Sequence, residues 1–234
     1  GIAWELGLLA GLADAGIDLT SADRVIGTSA GSVVGAQITS GLPLEDLYAE
    51  QIGPVDHEIG AELGRGFVLK FLPMMLRPGS LQTKRRRIGA AALKAHPAGG
   101  RERIAVIESR VGSLEWPDRD LRITAMEAET GAFRIFDRTS GVDLVHAVAA
   151  SCAVPLVWPA VTIDGKHYVD GGMRSANNAD VACNASTVVV IAPISQSFAK
   201  STSISAQLAR TAAQHTAVVT PDKDALEAIG RNVL

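Results

Sequence analysis

Between Asp23 and Ser40 the sequence reads DRVIGTSAGSVVGAQITS, and no other stretch limits the fold as tightly. The run from Asp23 to Ile26 suits a short strand, and Ser32 to Ser40 carries a helical pattern that stops at Gly41. Gly27-Thr28-Ser29-Ala30-Gly31 must therefore turn a strand directly into a helix. A serine at the tip of such a turn is held in a strained backbone conformation, and small neighbours relieve the crowding. The helix that follows aims its free amides and positive dipole end at whatever the serine meets. This is the pattern of a nucleophile elbow, which attacks a carbonyl carbon. An ordinary tight turn is the alternative reading of the same residues.

The remaining pattern alternates helices with strands. Ile2, Leu6, Leu9 and Ala13 recur at helical spacing before Gly16, and Pro43 to Ile52 reads as another helix. In the second half, Leu121–Ala128 and Ala132–Asp137 flank the turn Glu129-Thr130-Gly131, and Val161–Ile163 and His167–Val169 flank Asp164-Gly165. Val142 to Ala150 is helical by pattern, and TVVVIA over 187–192 has the content of a strand buried on both faces. A helix over Ser205–Gln214, a strand over Ala217–Thr220 and a helix over Asp222–Ile229 complete the chain. The order predicts an α/β fold, a three-layer α/β/α sandwich around a mostly parallel sheet, built as a single domain over residues 1–234.

Residues 53–115 form a candidate cap within that domain. GRGFVLKFLPMMLRPGS mixes bulky apolar groups with glycine, proline and arginine. It reads either as a core helix or as a cap whose Phe67, Phe71, Leu72, Met74 and Met75 face an apolar ligand. The basic run Lys84 to Arg87 reads as a solvated helix face or as a contact for an anionic surface.

Several function classes are set aside early. A net charge of −3 over 234 residues argues against a nucleic-acid binder. Cys152 and Cys183 make neither a disulfide framework nor a zinc motif, so no metal and no cofactor are expected. No apolar run approaches the ~18–20 residues a spanning helix needs, which leaves a cytoplasmic protein with peripheral membrane contact. The chain opens inside a helical pattern, GIAWELGLLAGL, so residues ahead of Gly1 are expected.

A nucleophilic serine needs a base. The histidines are His57, His96, His146, His167 and His215, and only His215 falls late enough for a serine–acid–histidine triad. His215 lacks flanking glycines. Asp170 offers another base: it ends the strand-like Lys166–Val169 run, and Gly171-Gly172 opens the turn after it. By itself Asp170-Gly171-Gly172 is also an ordinary turn.

GTSAG followed far downstream by DGG, without a suitable histidine, resembles the patatin-like phospholipase family. The N-terminal GIAWELGLLAGL, the segment SCAVPLVWPAV and the strand TVVVIAP resemble it too. The resemblance implies a Ser-Asp dyad with Ser29 as nucleophile and Asp170 as base, inside the motif residues Gly27, Thr28, Ala30, Gly31, Gly171 and Gly172. It also implies a glycine-rich oxyanion loop of which Gly1 is the last residue. An aspartate of ordinary pKa, about 3.9, is a weak base for an alcohol, so the site has to help by desolvating it. The expected function is a lipid acyl hydrolase cleaving carboxylic esters through an acyl-serine, with a lipid or ester substrate. The alternatives are an α/β-hydrolase esterase using His215 and a non-catalytic lipid-binding homologue.

Overall fold

One strand organises the molecule. In Asp120–Glu127 (β2), Leu121, Ile123, Thr124, Ala125 and Met126 are all buried, so both faces are covered. The structure, a computed structural model, describes residues 1–53, 71, 73–74, 76–95, 97 and 99–230. In chain order, α1 is Ile2–Asp14, β1 Arg24–Gly27, α2 Ala30–Thr39 and α3 Leu44–Ile52. Next come α4 at Leu81–Ala95 and α5 at Gly100–Val111, then β2 and β3 (Phe133–Phe136). Helix α6 is Leu144–Ser151, β4 Val161–Ile163, β5 Lys166–Asp170 and β6 Thr187–Ile191. The last elements are α7 (Ile204–Leu208), β7 (His215–Val219) and α8 (Lys223–Ile229).

The strand pairing explains how distant segments meet. β1 runs parallel to the first half of β2, with Gly27 opposite Ile123, while β5 runs antiparallel to the second half, with Asp170 opposite Ala125. β3 pairs antiparallel with Ile123–Met126 of β2 and overlaps both registers, so it occupies the other edge. β1 and β5 therefore lie end to end along one edge of β2 and point at each other across Thr124. β4 continues beyond β5, and β6 and β7 form a separate parallel pair.

The main sheet is thus mixed rather than mostly parallel. Its two hairpins, β2–β3 and β4–β5, are joined by turns too short for a crossover and must be antiparallel. Among the described residues only β1–β2 and β6–β7 are parallel.

Packing follows the alternation of β2. Leu121, Ile123 and Ala125 join Val33 and Ala36 of α2, Ile107 and Val111 of α5, and Val145 and Val148 of α6. Met126 turns the other way, to Ile88 and Ala92 of α4 and to Val169. Within 53–115, Ile88, Ile107 and Val111 are thus core residues. Phe67, Leu72, Met75, His57 and His96 lie outside the described residues. Val188 and Val190 of β6 pack on Ala179, Ala182 and Ile204, and Ile26 of β1 reaches into this second cluster. Helix α7 stops at Leu208, short of the pattern, and His215 belongs to a strand rather than to a helix end.

Candidate active site

At the end of β1 the chain reverses into α2, and Ser29 takes φ 53° and ψ −122°. An L-residue in this region is strained and persists only where its surroundings hold it. Four bonds do so here. The Ser29 N–H donates to Ser151 Oγ at 2.9 Å. Its carbonyl accepts from Ser32 Oγ at 2.6 Å, from the Ser32 N–H at 2.8 Å and from Cys152 Sγ at 3.3 Å. Burial pushes the Cys152 thiol up to about 11, so it stays protonated and serves as a donor rather than a second nucleophile.

The reversal is tight enough to require glycine at one flank. A Cβ on Gly27 would stand 2.4 Å from Ser32 Cα and 2.6 Å from the Gly31 carbonyl oxygen, both backbone atoms that cannot give way. The other flank is looser, because a Cβ on Gly31 would meet only the Glu5 carboxylate, at 3.5 Å. Gly1 lies against the same turn; a Cβ there would come within 2.7 Å of Ala30 Cβ.

Asp170 ends β5 and is 2 % exposed. Its N–H donates to the Ala153 carbonyl at 3.0 Å, and its Oδ1 accepts from the Gly172 N–H at 2.7 Å. Burial pushes its carboxyl up to about 6, opposed by hydrogen bonds from the Ser29 side chain and the Gly172 amide. Gly171 is again forced: a Cβ would fall 2.6 Å from the Thr124 carbonyl oxygen. So the two expected residues meet where β1 and β5 converge, with Thr124 between them. Thr124 Oγ1 lies 2.7 Å from Thr28 Oγ1 and 3.3 Å from the Gly27 carbonyl oxygen.

Ser29, Asp170, Gly1, Glu5, Ala30, Gly31 and Gly172 share one cleft of about 1130 Å³. Residues of β1 and β6 border it, and its apolar walls include Val34, Ile38, Val154, Met173 and the tilted pair Phe71–Phe198. Glu5 is 7 % exposed, and burial pushes its carboxyl up to about 8. The described histidines sit elsewhere and line no part of this cleft. His146 bonds Asp143, His167 of β5 bonds Glu129 of the β2–β3 turn, and His215 is exposed on β7. Among the described residues no group of three His, Cys, Asp or Glu could hold a metal.

Sequence reasoning missed Ser151, Thr124, Asn178 and Glu5. The motif segments SCAVP and DGGMRSANN place Ser151 and Asn178 close to the cleft in sequence, but their bonds to the elbow span 122 and 150 residues. Comparison with curated proteins gives no match. The family described as patatin-like phospholipase matches residues 1–183, a span holding the elbow, β2, α6 and the Asp170 turn, and the chain belongs to that family.

Proposed function

We propose that this chain is a lipid acyl hydrolase in which Ser29 and Asp170 work as a dyad. The observation that carries the reading is their meeting point: a serine in strained backbone and a buried carboxylate whose pKa its side chain lowers, lining one cleft in which no described histidine takes part. Ser29 Oγ attacks the ester carbonyl carbon as its proton passes to Asp170. Burial makes Asp170 a better base than an exposed aspartate, since its pKa of about 6 lies closer to neutrality. The tetrahedral oxyanion faces the start of α2. There the Gly31 and Ser32 amides are spent on Thr28 and Ser29 carbonyls, which leaves the Ala30 N–H to point at it. Gly1, packed on Ala30, closes the same side. Collapse of the intermediate expels the alcohol, which takes the proton from Asp170. Water then attacks the acyl-serine, giving its proton to Asp170, and Ser29 leaves as the hydroxyl with that proton while the acid departs.

The apolar walls of the cleft suit an acyl chain, and the phospholipase family name supports an ester-linked lipid as substrate. No described helix is long and apolar enough to cross a membrane, and we place the protein in the cytoplasm with peripheral lipid contact. The three-layer sandwich, the single domain with a cap over 53–115, and independence from metals, cofactors and nucleic acid belong to the same reading.

A fluorophosphonate probe combined with a soluble ester assay tests it. The wild-type chain is labelled and turns over; Ser29→Ala is not labelled, and Asp170→Asn is folded but inactive. Labelling that persists in Ser29→Ala overturns the reading. Vesicle binding without turnover in the wild type would favour a non-catalytic lipid-binding role instead.

A further inference from the structure

Asn178 is 0 % exposed and sits in the left-handed backbone region, φ 45°, at the start of the 3-10 turn Ala179–Ala182. That turn belongs to the cluster around β6, yet the Asn178 side chain reaches across to the dyad. Its Nδ2 faces four oxygens: Ser175 O at 2.8 Å, Thr28 Oγ1 at 3.1 Å, Gly171 O at 3.2 Å and Thr124 Oγ1 at 3.3 Å. Its Oδ1 accepts from Arg174 Nη1 at 2.8 Å. Arg174 is itself fixed by two bonds to Asp180, at 2.8 and 2.6 Å, and Asp180 also takes Arg210 at 3.1 Å.

The chemistry of the cage selects an amide. One end must share its two hydrogens among several oxygens on a fully buried side chain, and the other must accept from a guanidinium. Thr28 immediately precedes Ser29, and Gly171 immediately follows Asp170. One planar group therefore touches both neighbours of the dyad. An apolar side chain would remove the donor these oxygens share and leave the Ser175 carbonyl without its 2.8 Å partner, and a carboxylate would set negative charge against the Ser175 and Gly171 carbonyls.

We propose that Asn178 is a positioning residue that fixes the spacing of Ser29 and Asp170 through Thr28 and Gly171. The inference rests on the dyad reading. The effect is on geometry, and an ångström-scale misplacement at a reacting centre costs on the order of 10²-fold in rate.

The test is a double-mutant cycle on the full chain with a soluble ester. Asn178→Asp keeps a residue that tolerates the left-handed backbone and keeps an oxygen for Arg174, but loses the donor. It is expected to lower kcat by about 10²-fold with KM within about twofold. Fluorophosphonate labelling per folded molecule slows in step, and the acid limb of the pH profile moves up as negative charge approaches Asp170. Thr28→Val removes the other end of one bond and lowers kcat less. The pair costs less than the product of the single losses, because the second change finds the bond already gone. A merely structural asparagine would lower the folded fraction and leave labelling per folded molecule and the multiplicative cycle untouched; that result overturns the proposal. Should Asn178→Asp not fold, Thr28→Val with unchanged kcat overturns it alone. Ser29→Ala and Asp170→Asn in the same series check the dyad separately, so loss there with none at Asn178 removes only the positioning role.

Discussion

The N–H of Ser29 donates to the hydroxyl of Ser151 at 2.9 Å, so the last residue of α6 holds the residue ahead of α2 in its strained conformation. The donor is thereby committed, and in the proposed mechanism the oxyanion must be served by other amides. Ser151→Ala leaves that N–H unmatched in a site where Ser151 is 0 % exposed. A loss of about 1–3 kcal/mol in stability is expected by urea denaturation. Probe labelling of Ser29 should slow in the molecules that remain folded, because the backbone that aims its hydroxyl is released.

Activity should fall on the acid side. As the proposed base Asp170 must be ionised to accept a proton, and burial raises its carboxyl to about 6. The rate on a soluble ester is expected to fall tenfold per pH unit well below 6 and to level off above it. A limb near 4, the range of an exposed aspartate, would contradict the desolvated base.

Stability should move the opposite way with pH. Asp170 and Glu5 both have folded-state pKa values above their ordinary ones, at about 6 and about 8. The folded state therefore holds their protons more tightly than the unfolded chain does. Their contribution is complete below about pH 4 and is lost as pH rises through the folded values. The melting temperature is expected to fall between about pH 4 and 8. Glu5→Gln removes the upper part of that slope, read by thermal scans at several pH values.

The two flanking glycines of the elbow are not equivalent. Gly27→Ala forces a Cβ to 2.4 Å from backbone and should destabilise by at least the ~1–3 kcal/mol typical of overpacking. Gly31→Ala places its Cβ at an ordinary 3.5 Å from Glu5 and should fold normally. Paired denaturation curves separate the two.

His215→Ala should leave ester hydrolysis near the wild-type rate. His215 of β7 pairs with Thr187 of β6, is exposed, and lines no part of the cleft with Ser29. A near-total loss would restore the triad alternative.

What could be read from the sequence was local or nearly so. The strand, turn and helix around Ser29 are written in adjacent residues, and the Asp170 turn follows from two glycines after a strand. Register was not legible. Nothing in the pattern of β1 or β5 says that both lie along one edge of β2, because strand pairing is a property of distant segments. The mixed sheet was missed for a related reason: the β-branched 187–191 strand is parallel to β7, though it buries only Val188 and Val190 and exposes Thr187 and Val189 rather than being covered on both faces, and the two hairpins govern the main sheet. The bonds of Ser151 and Asn178 to the elbow escaped notice because serine and asparagine there look like ordinary turn and cap residues.

Among the described residues β1 has backbone bonds to β2 alone, and on its other side it meets the β6 half of the molecule through side chains. Ile26 packs on the Val188–Val190 cluster, Arg24 reaches the Cys183 carbonyl at 3.4 Å, and Thr28 meets Asn178. A backbone ladder is written into every residue and no single codon change erases it, whereas each of these three links can be rewritten alone. The strand that carries Ser29 is thus anchored on one side by what all sequences share, and on the other by what heredity can alter one step at a time.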